Sequence, residues 1–122
     1  MPLTPQYNQD EFTRIQNSID SIGLITSDAS VSDLERNNLS NEVSGGGYSR
    51  QPVSLTLVQD GFSQRLIFTS DITFPTPSSD WGFIRYVGFF SGSELWFFSY
   101  LNTVFVGANA TVTLLAETVG IK

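Results

Sequence analysis

From Tyr48 onward, the chain consists of short stretches in which apolar and polar residues alternate, interrupted at regular intervals by turn residues. Apolar residues at positions 53, 55 and 57 alternate with Ser54 and Thr56, which is the pattern of a strand with one buried face. Asp60-Gly61 and Ser91-Gly92-Ser93 are hairpin signals. Roughly six to eight short strands with turns about every ten residues are typical of antiparallel sandwiches. The sequence predicts a mainly β fold, an antiparallel β-sandwich or barrel-like sheet pair.

One α-helix is predicted ahead of this β region. Thr4-Pro5 combines an N-cap residue with proline at the first helical position. Four apolar residues then recur at helical spacing and predict a helix from about residue 5 to residue 20, namely Phe12, Ile15, Ile19 and Ile22.

A polar segment separates the helix from the β region. Residues 28–47 are long for a connection in a compact domain, so we expect a partner-facing arm that is mobile when free and ordered when bound. Ser32-Asp33-Leu34-Glu35 has capping-box spacing for one helical turn within it. The 122 residues fit one domain, divided into an N-terminal helical segment (1–21), this loop or arm (28–47) and the β-sandwich (48–122).

Composition argues against several functional classes. The chain has no Cys and no His, so it lacks the commonest general base, the commonest metal ligand and any disulfide. Twelve acidic residues against six Lys and Arg give a net charge of −6, and no basic cluster predicts nucleic-acid binding. No apolar run reaches the roughly 18 residues of a membrane span, and the N-terminus does not resemble a secretory signal.

The acidic and serine residues do not form a recognisable chemical site. Asp28 and Asp33, like Asp60 and Asp71, lack the ligand spacing of a calcium loop. Gly92-Ser93-Glu94 lacks the spacing of a nucleophile elbow. We therefore expect a protein that is not an enzyme and that has no catalytic residues, cofactor, metal, nucleic-acid partner or membrane association.

The hairpin Trp81 to Leu101 is apolar on both faces. Simple alternation puts Phe83, Val87 and Phe89 on one face and Ile84, Tyr86 and Phe90 on the other, and the second strand repeats this with Phe97 and Leu101 opposite Trp96, Phe98 and Tyr100. A sheet with one face in water should not have this pattern. Either the chain covers both faces, for example with its N-terminal helix, or another subunit covers one.

Association is the preferred interpretation, because large aromatic residues are typical interface anchors. This interpretation predicts a homo-oligomer, specifically a trimer. The predicted partner-binding residues in this hairpin are Trp81, Phe89, Phe90, Trp96, Phe98 and Tyr100. An alternative is sugar stacking on Trp81, Trp96 and Tyr100, with hydroxyl contacts from Asp80, Arg85 and Asn102.

A glycine-rich loop leads into the β region at Asn41–Val53. Three successive glycines, Gly45-Gly46-Gly47, allow a sharp turn into a strand. Tyr48 and Arg50 then project from one face of that strand, since side chains two apart point the same way. We add both to the candidate partner-binding residues. Arg50 is predicted to make a fixed ion pair or a carbonyl contact beside the turn.

This segment resembles a signature of small structural proteins of tailed bacteriophages, acidic-Val-Ser-Gly-Gly-(Gly)-Tyr-(Ser/Ala)-Arg-Gln-(Pro/Ala)-Val. Further short motifs extend the resemblance over about Ile22 to Leu115: Ile72-Thr73-Phe74-Pro75, Asp80-Trp81-Gly82, Val87-Gly88-Phe89-Phe90, Ser91-Gly92-Ser93-Glu94-Leu95, Thr103-Val104-Phe105-Val106-Gly107 and Val112-Thr113-Leu114. The N-terminal helix is outside the pattern, and Ile22-Gly23-Leu24-Ile25 replaces the family's His-bearing first strand.

The resemblance implies a virion component without enzymatic activity, a β-rich unit that works as an oligomer on the particle. Such proteins include head decoration or cement proteins, minor capsid proteins and tail-fibre-like proteins. We expect a capsid cement or decoration protein, assembled into the virion in the host cytoplasm, whose partner is the major capsid protein or another virion protein. The alternatives are a tail, neck or baseplate component of the fibre-attachment type and a carbohydrate-binding module.

Overall fold

Antiparallel strands build most of the protein. The computed structural model describes residues 13–60, 63–68, 70–116 and 120–121. Helix α1 includes residues 13–18, and the remaining elements are β1 (Ser21–Thr26), α2 (Val31–Glu35), β2 (Gln51–Pro52), β3 (Leu55–Asp60), β4 (Ser63–Phe68), β5 (Ile72–Thr73), β6 (Gly82–Ser91), β7 (Glu94–Val106), β8 (Thr113–Leu114) and β9 (Gly120–Ile121).

The described strands form three sheets. A four-stranded sheet has the order β2-β1-β6-β7, a three-stranded sheet has the order β3-β4-β9, and β5 pairs with β8. All of these pairs are antiparallel. The predicted mainly β, sandwich-like fold with a short N-terminal helix is confirmed, and the described strands do not close into a barrel.

The main core lies on one face of the four-stranded sheet. Strands β1 and β6 contribute Ile22, Leu24, Val87 and Phe89, which are at most 1% exposed. The facing sheets and α1 complete the cluster, including Leu55, Leu66, Phe68, Ile15 and Ile19. Each such side chain contributes about 2 kcal/mol by leaving water. The helical prediction holds for Ile15, and Ile19 follows the last helical residue and donates its backbone N–H to the carbonyl oxygen of Ile15 (3.0 Å). Ile22 belongs to β1, and residues 1–12 lie outside the described residues.

A second core covers the opposite face of the same sheet. Tyr86, Phe90 and Leu95 pack there against Ile25, Ala29 and Leu34. The buried Tyr86 Oη donates to the carbonyl oxygen of Ala29 (3.3 Å). The chain itself therefore covers both faces at this point, and the covering element is the segment after β1 rather than the N-terminal helix.

The segment 28–47 is consequently folded onto the sheet, which corrects its description as a free arm. Leu34 and Val43 are 3% and 5% exposed, and Asn37 Oδ1 accepts a hydrogen bond from the backbone N–H of Leu95 (3.0 Å). The capping box of α2 uses Ser30 as N-cap and Asp33 as the third helical residue, so the helix begins two residues earlier than Ser32 suggested. A few apolar residues suffice to anchor a polar segment when the sheet supplies the rest of the core.

Irregularities in the β6–β7 pairing change which side chains lie on each face of the hairpin. Ile84 pairs with Val104 but Tyr86 pairs with Tyr100, so Arg85 lies opposite three residues of β7. An irregularity of this kind breaks the alternation of faces. Ile84 is consequently buried with Val87 in the main core, and Phe83 is exposed, the reverse of the predicted faces for residues 83 and 84. Strand β7 continues unbroken from Glu94 to Val106.

No helix in the described part of the chain is long and apolar enough to cross a membrane.

Candidate functional site

The glycine-rich loop is a docked turn rather than a free one. Gly45, Gly46 and Gly47 have φ angles of 74°, 58° and 80°, a region that favours glycine. The carbonyl oxygen of Gly46 accepts hydrogen bonds from Trp81 Nε1 (3.1 Å) and from the backbone N–H of Ser78 (2.9 Å). The turn is thereby held against the segment that precedes β6.

Gly46→Ala should destabilise the fold by about 3 kcal/mol, because strain at positive φ adds to steric overlap. A Cβ at this position would lie 2.7 Å from Ser79 Oγ and 2.9 Å from Trp81 Nε1. Gly45→Ala is the matched control, since its φ is also positive but nothing lies within 4 Å of its Cβ position. Urea denaturation should give a loss of only about 1 kcal/mol for the control. Equal losses would show that the docked position of Gly46 is unimportant.

Three polar side chains meet immediately beside this turn. Tyr48 Oη donates to Glu42 Oε2 (2.7 Å) and accepts from the backbone N–H of Leu24 (3.0 Å). The Arg50 guanidinium binds the same carboxylate through two bonds, Nε to Oε2 and Nη2 to Oε1, both 2.8 Å. The predicted fixed ion pair of Arg50 is confirmed, and Tyr48 and Arg50 share a face as expected.

Burial and the neighbouring carboxylate hold Tyr48 in its neutral form. Desolvation is the larger cause and the hydrogen bond to Glu42 the second, and together they raise the pKa of the Tyr48 hydroxyl far above its usual value. The hydrogen bond to Glu42 likewise raises the pKa of Arg50. The Tyr48 hydroxyl is therefore a donor to Glu42, and the Arg50 charge is permanent.

Arg50 also connects the loop to the β6–β7 hairpin. Its guanidinium carbon lies 3.7 Å from the ring centroid of Phe90, and Nη1 donates to the carbonyl oxygen of Gly92 (3.2 Å). The Phe90 ring in turn approaches Gly23 and Gly88, where an added Cβ would lie 3.0 Å and 2.9 Å from Phe90 Cε2. Gly23 and Gly88 are cross-strand partners in β1 and β6, so this glycine pair makes the room that the ring occupies.

We expect Arg50→Lys to lower the free energy of unfolding by about 2 kcal/mol, because an ammonium group cannot reproduce the paired bonds or stack flat on Phe90. Arg36→Lys, at an exposed position after α2, is the matched control and should be neutral. Thermal denaturation of the two variants provides the measurement. An unchanged Arg50→Lys protein would mean that the paired bonds and the stacking on Phe90 make no net contribution beyond that of a single positive charge.

Three of the motifs that carry the phage resemblance come together around Tyr48. Its ring stacks on Phe74 with centroids 6.1 Å apart and meets Trp81 edge-on at 5.4 Å. The glycine loop, the Phe-Pro motif and the Trp-Gly motif therefore form one contact cluster, although they are distant in sequence. These residues have a structural role in this chain, since they position the loop against the main core.

Three of the eight predicted partner-binding residues are consequently unavailable to a partner. Trp81, Phe89 and Phe90 are 6%, 0% and 0% exposed, which corrects their assignment as contact residues, because the chain itself covers both faces of β6. Tyr48, Arg50, Trp96 and Phe98 are half-buried. Of the predicted residues, Tyr100 is the one that is mostly exposed, at 57%.

Tyr100 belongs to an exposed group that the sequence did not reveal. Phe83 and Phe105, which pair across β6 and β7, are 56% and 50% exposed, and their rings contact edge-on at 5.1 Å. The Arg85 guanidinium carbon lies 5.9 Å from the ring centroids of both Tyr86 and Tyr100. We name these four residues, Phe83, Arg85, Tyr100 and Phe105, the aromatic surface. All four lie in strands β6 and β7, and Arg85 is at the irregularity in their pairing, which no sequence pattern marked.

The three aromatic residues proposed for sugar stacking do not share a surface. Trp81 is buried, and Trp96 packs against the main core while Arg14 lies 5.3 Å from its ring centroid. Tyr100 contacts Tyr86 and Phe98 on the opposite face of the sheet. Asp80, proposed for hydroxyl contacts, accepts a hydrogen bond from the backbone N–H of Ala108 (2.9 Å).

The other aspartates near turns have similar structural roles. Asp20 accepts a hydrogen bond from the backbone N–H of Gly92 (3.0 Å), and Asp71 accepts one from that of Ala116 (2.7 Å). Among the described residues, no group of three or more acidic side chains could hold a metal ion. What the arrangement offers is a binding surface with rigid aromatic side chains and a cation.

Comparisons of the chain with models of known protein families, with curated proteins and with solved structures found no match.

Proposed function

We propose that this protein is a structural component of a bacteriophage virion, a decoration protein that oligomerises on the capsid exterior and stabilises the shell. It acts by binding and not by catalysis. Support comes from the resemblance of its motifs to those of phage structural proteins and from the contacts that these motifs make with one another around Tyr48.

The aromatic surface is the observation that carries this proposal. Tyr, Phe and Arg are enriched at protein interfaces and Tyr and Arg among the residues that dominate binding energy. All four residues are on the long paired strands β6 and β7, and Phe83 and Phe105 contact each other directly. Their side chains therefore lose little conformational freedom when a partner covers them, which favours association.

The size of the aromatic surface suggests how such binding would work. Three half-exposed rings offer roughly 300 Å², less than the ~800 Å² per partner of a standard stable interface. One contact alone is therefore weak. An oligomer placed at a local three-fold position of the shell repeats its contacts and gains affinity through multivalency. A protein that binds only the assembled shell stabilises that state by mass action.

Adding purified protein to particles assembled without it tests this proposal. We expect the protein to co-sediment with the particles and to be located on the capsid by electron microscopy. Combined substitution of Phe83 and Tyr100 by Ser should lower binding at least about tenfold, because these rings join the subunits and a dissociated subunit loses the multivalent contacts of the oligomer. Thr56→Ala, an exposed position on β3, is the control and should bind normally.

Two results would contradict the proposal. Labelling of the tail instead of the capsid would favour a tail, neck or baseplate component. Full binding by the doubly substituted protein, with its fold intact by circular dichroism, would show that binding to the particle does not depend on the aromatic surface.

A further inference from the structure

A ring of three subunits requires two different surfaces on each subunit. In closed cyclic assemblies larger than a dimer, a surface of one copy contacts a distinct surface of the next. The aromatic surface supplies only one of the two. The inference below rests on the proposed function, because it concerns the oligomer that the proposal requires.

The net charge of the protein restricts which surface of the next copy can bind the aromatic surface. The chain has a net charge of −6, so two copies repel each other unless a cation meets an anion at their contact. Arg85 is the cation of the aromatic surface, and in the described part of the chain it has ring contacts but no ion pair. The complementary surface should therefore carry a carboxylate beside room for an aromatic ring.

A cleft at the opposite edge of the four-stranded sheet has these properties. Strand β2 is at one edge of that sheet and β7 at the other. The cleft beside β2 has a volume of about 370 Å³, and Pro52, Val53 and Ile72 provide apolar lining while Asp71 provides a carboxylate. The backbone N–H of Ala116 holds Asp71 Oδ1 at 2.7 Å, so the charge has a fixed position and its second oxygen can accept another donor.

Two other clefts are less suitable than the β2-edge cleft for binding the aromatic surface and its cation, Arg85. The cleft between β7 and β8 is lined by Leu24, Ile84, Val104 and neighbouring uncharged residues, without a carboxylate. The cleft beside Glu94 is lined by Arg14 as well, which would repel Arg85. The β2-edge cleft combines a carboxylate with apolar and polar lining, and that mixture suits the ring and hydroxyl of a tyrosine.

We propose that the aromatic surface of one copy binds the β2-edge cleft of the next copy, with Tyr100 in the cleft and Arg85 paired with Asp71. The two surfaces do not overlap, so each copy can use both at once, and repetition of the contact closes into a ring when the rotation between neighbouring copies is three-fold. The guanidinium fork can bind the carboxylate through parallel hydrogen bonds, which fixes the orientation of neighbouring copies.

A charge exchange tests the pairing directly. Sedimentation equilibrium of the wild-type protein at high micromolar concentration should give a trimer. Arg85→Glu and Asp71→Arg should each raise the dissociation constant at least about tenfold, because each places like charges together. The protein with both substitutions should regain association, since the pair is restored with its charges reversed. Asp71→Asn can still accept the Ala116 hydrogen bond and should weaken association without disturbing the fold.

Asp80→Asn is the matched control, because Asp80 is also an exposed aspartate that accepts a turn N–H. It should leave the trimer unchanged. The inference is overturned if Arg85→Glu or Asp71→Asn, each folded by circular dichroism, remains trimeric, or if the charge-exchanged protein does not recover. A monomeric wild-type protein would overturn it too, while binding of that monomer to capsids would leave standing the capsid-binding part of the proposed function.

Discussion

Phe90→Ala should destabilise the fold by about 4 kcal/mol, the largest loss that we expect from a single substitution. Phe90 is fully buried in the second core and lies under the Arg50 guanidinium. Removing the ring leaves a cavity between β6 and α2 and also removes the surface on which Arg50 stacks. Because native domains are stable by only about 5 to 15 kcal/mol, this variant should be marginal.

Phe83→Ala in the same strand is the matched control. It removes the same number of atoms from a side chain that is 56% exposed and should cost less than about 1 kcal/mol. Urea denaturation of the two variants, followed by circular dichroism, compares them. Similar losses would contradict the assignment of Phe90 to an internal core and of Phe83 to the exposed aromatic surface.

Glu42→Ala should give the second largest effect, a loss of about 3 kcal/mol. Its side chain is 12% exposed and its carboxylate binds both Arg50 and Tyr48. Without it, the Arg50 charge and the Tyr48 hydroxyl would lose their shared partner in a half-buried site, where water replaces it incompletely.

Glu35→Ala is the control for Glu42, because Glu35 is an exposed carboxylate at the end of α2. It should change the free energy of unfolding by less than about 0.5 kcal/mol. Thermal and urea denaturation should both show a larger loss of stability for Glu42→Ala than for Glu35→Ala. If the two glutamates proved equivalent, the Glu42–Arg50–Tyr48 cluster would not be what holds the glycine loop to the sheet.

Local sequence signals predicted the parts of the structure that depend on neighbouring residues. Alternation around residues 53–57 marked β3, and Ser91-Gly92-Ser93 marked the β6–β7 turn. The placement of Tyr48 and Arg50 on one face followed from strand geometry alone. The sequence did not reveal that Glu42 is their shared partner. Glu42 precedes the glycine turn and reaches both side chains only because that turn reverses the chain.

The register of the β6–β7 pairing could not be predicted from the sequence. Residues Phe83 to Phe90 can be divided between two faces by simple alternation, and nothing in their types indicates the irregularity at Arg85. A shift by one residue exchanges the two faces of a strand, and the faces predicted for Phe83 and Ile84 were therefore reversed. The prediction of contact residues failed for Trp81, Phe89 and Phe90 for another reason, because the chain itself covers both faces of β6.

The polar segment 28–47 was misjudged for a related reason. Its composition indicates a solvated loop, yet Ala29, Leu34 and Val43 are buried. Their partners are residues of β1, β6 and β7, distant in sequence, so no local pattern could reveal the packing. The sequence did contain one indication of this packing. The β6–β7 hairpin is apolar on both faces, so another segment was required to cover the second face.

The central claim, that the protein strengthens a phage capsid, is tested most directly by comparing particles with and without it. Particles assembled without the protein should release DNA at a lower temperature and under milder osmotic shock than complete particles, because the assembled shell loses a ligand that stabilises it. Their adsorption to host cells should be unchanged. Fully robust particles that fail to adsorb would contradict the account and would favour a tail component or a glycan-binding protein.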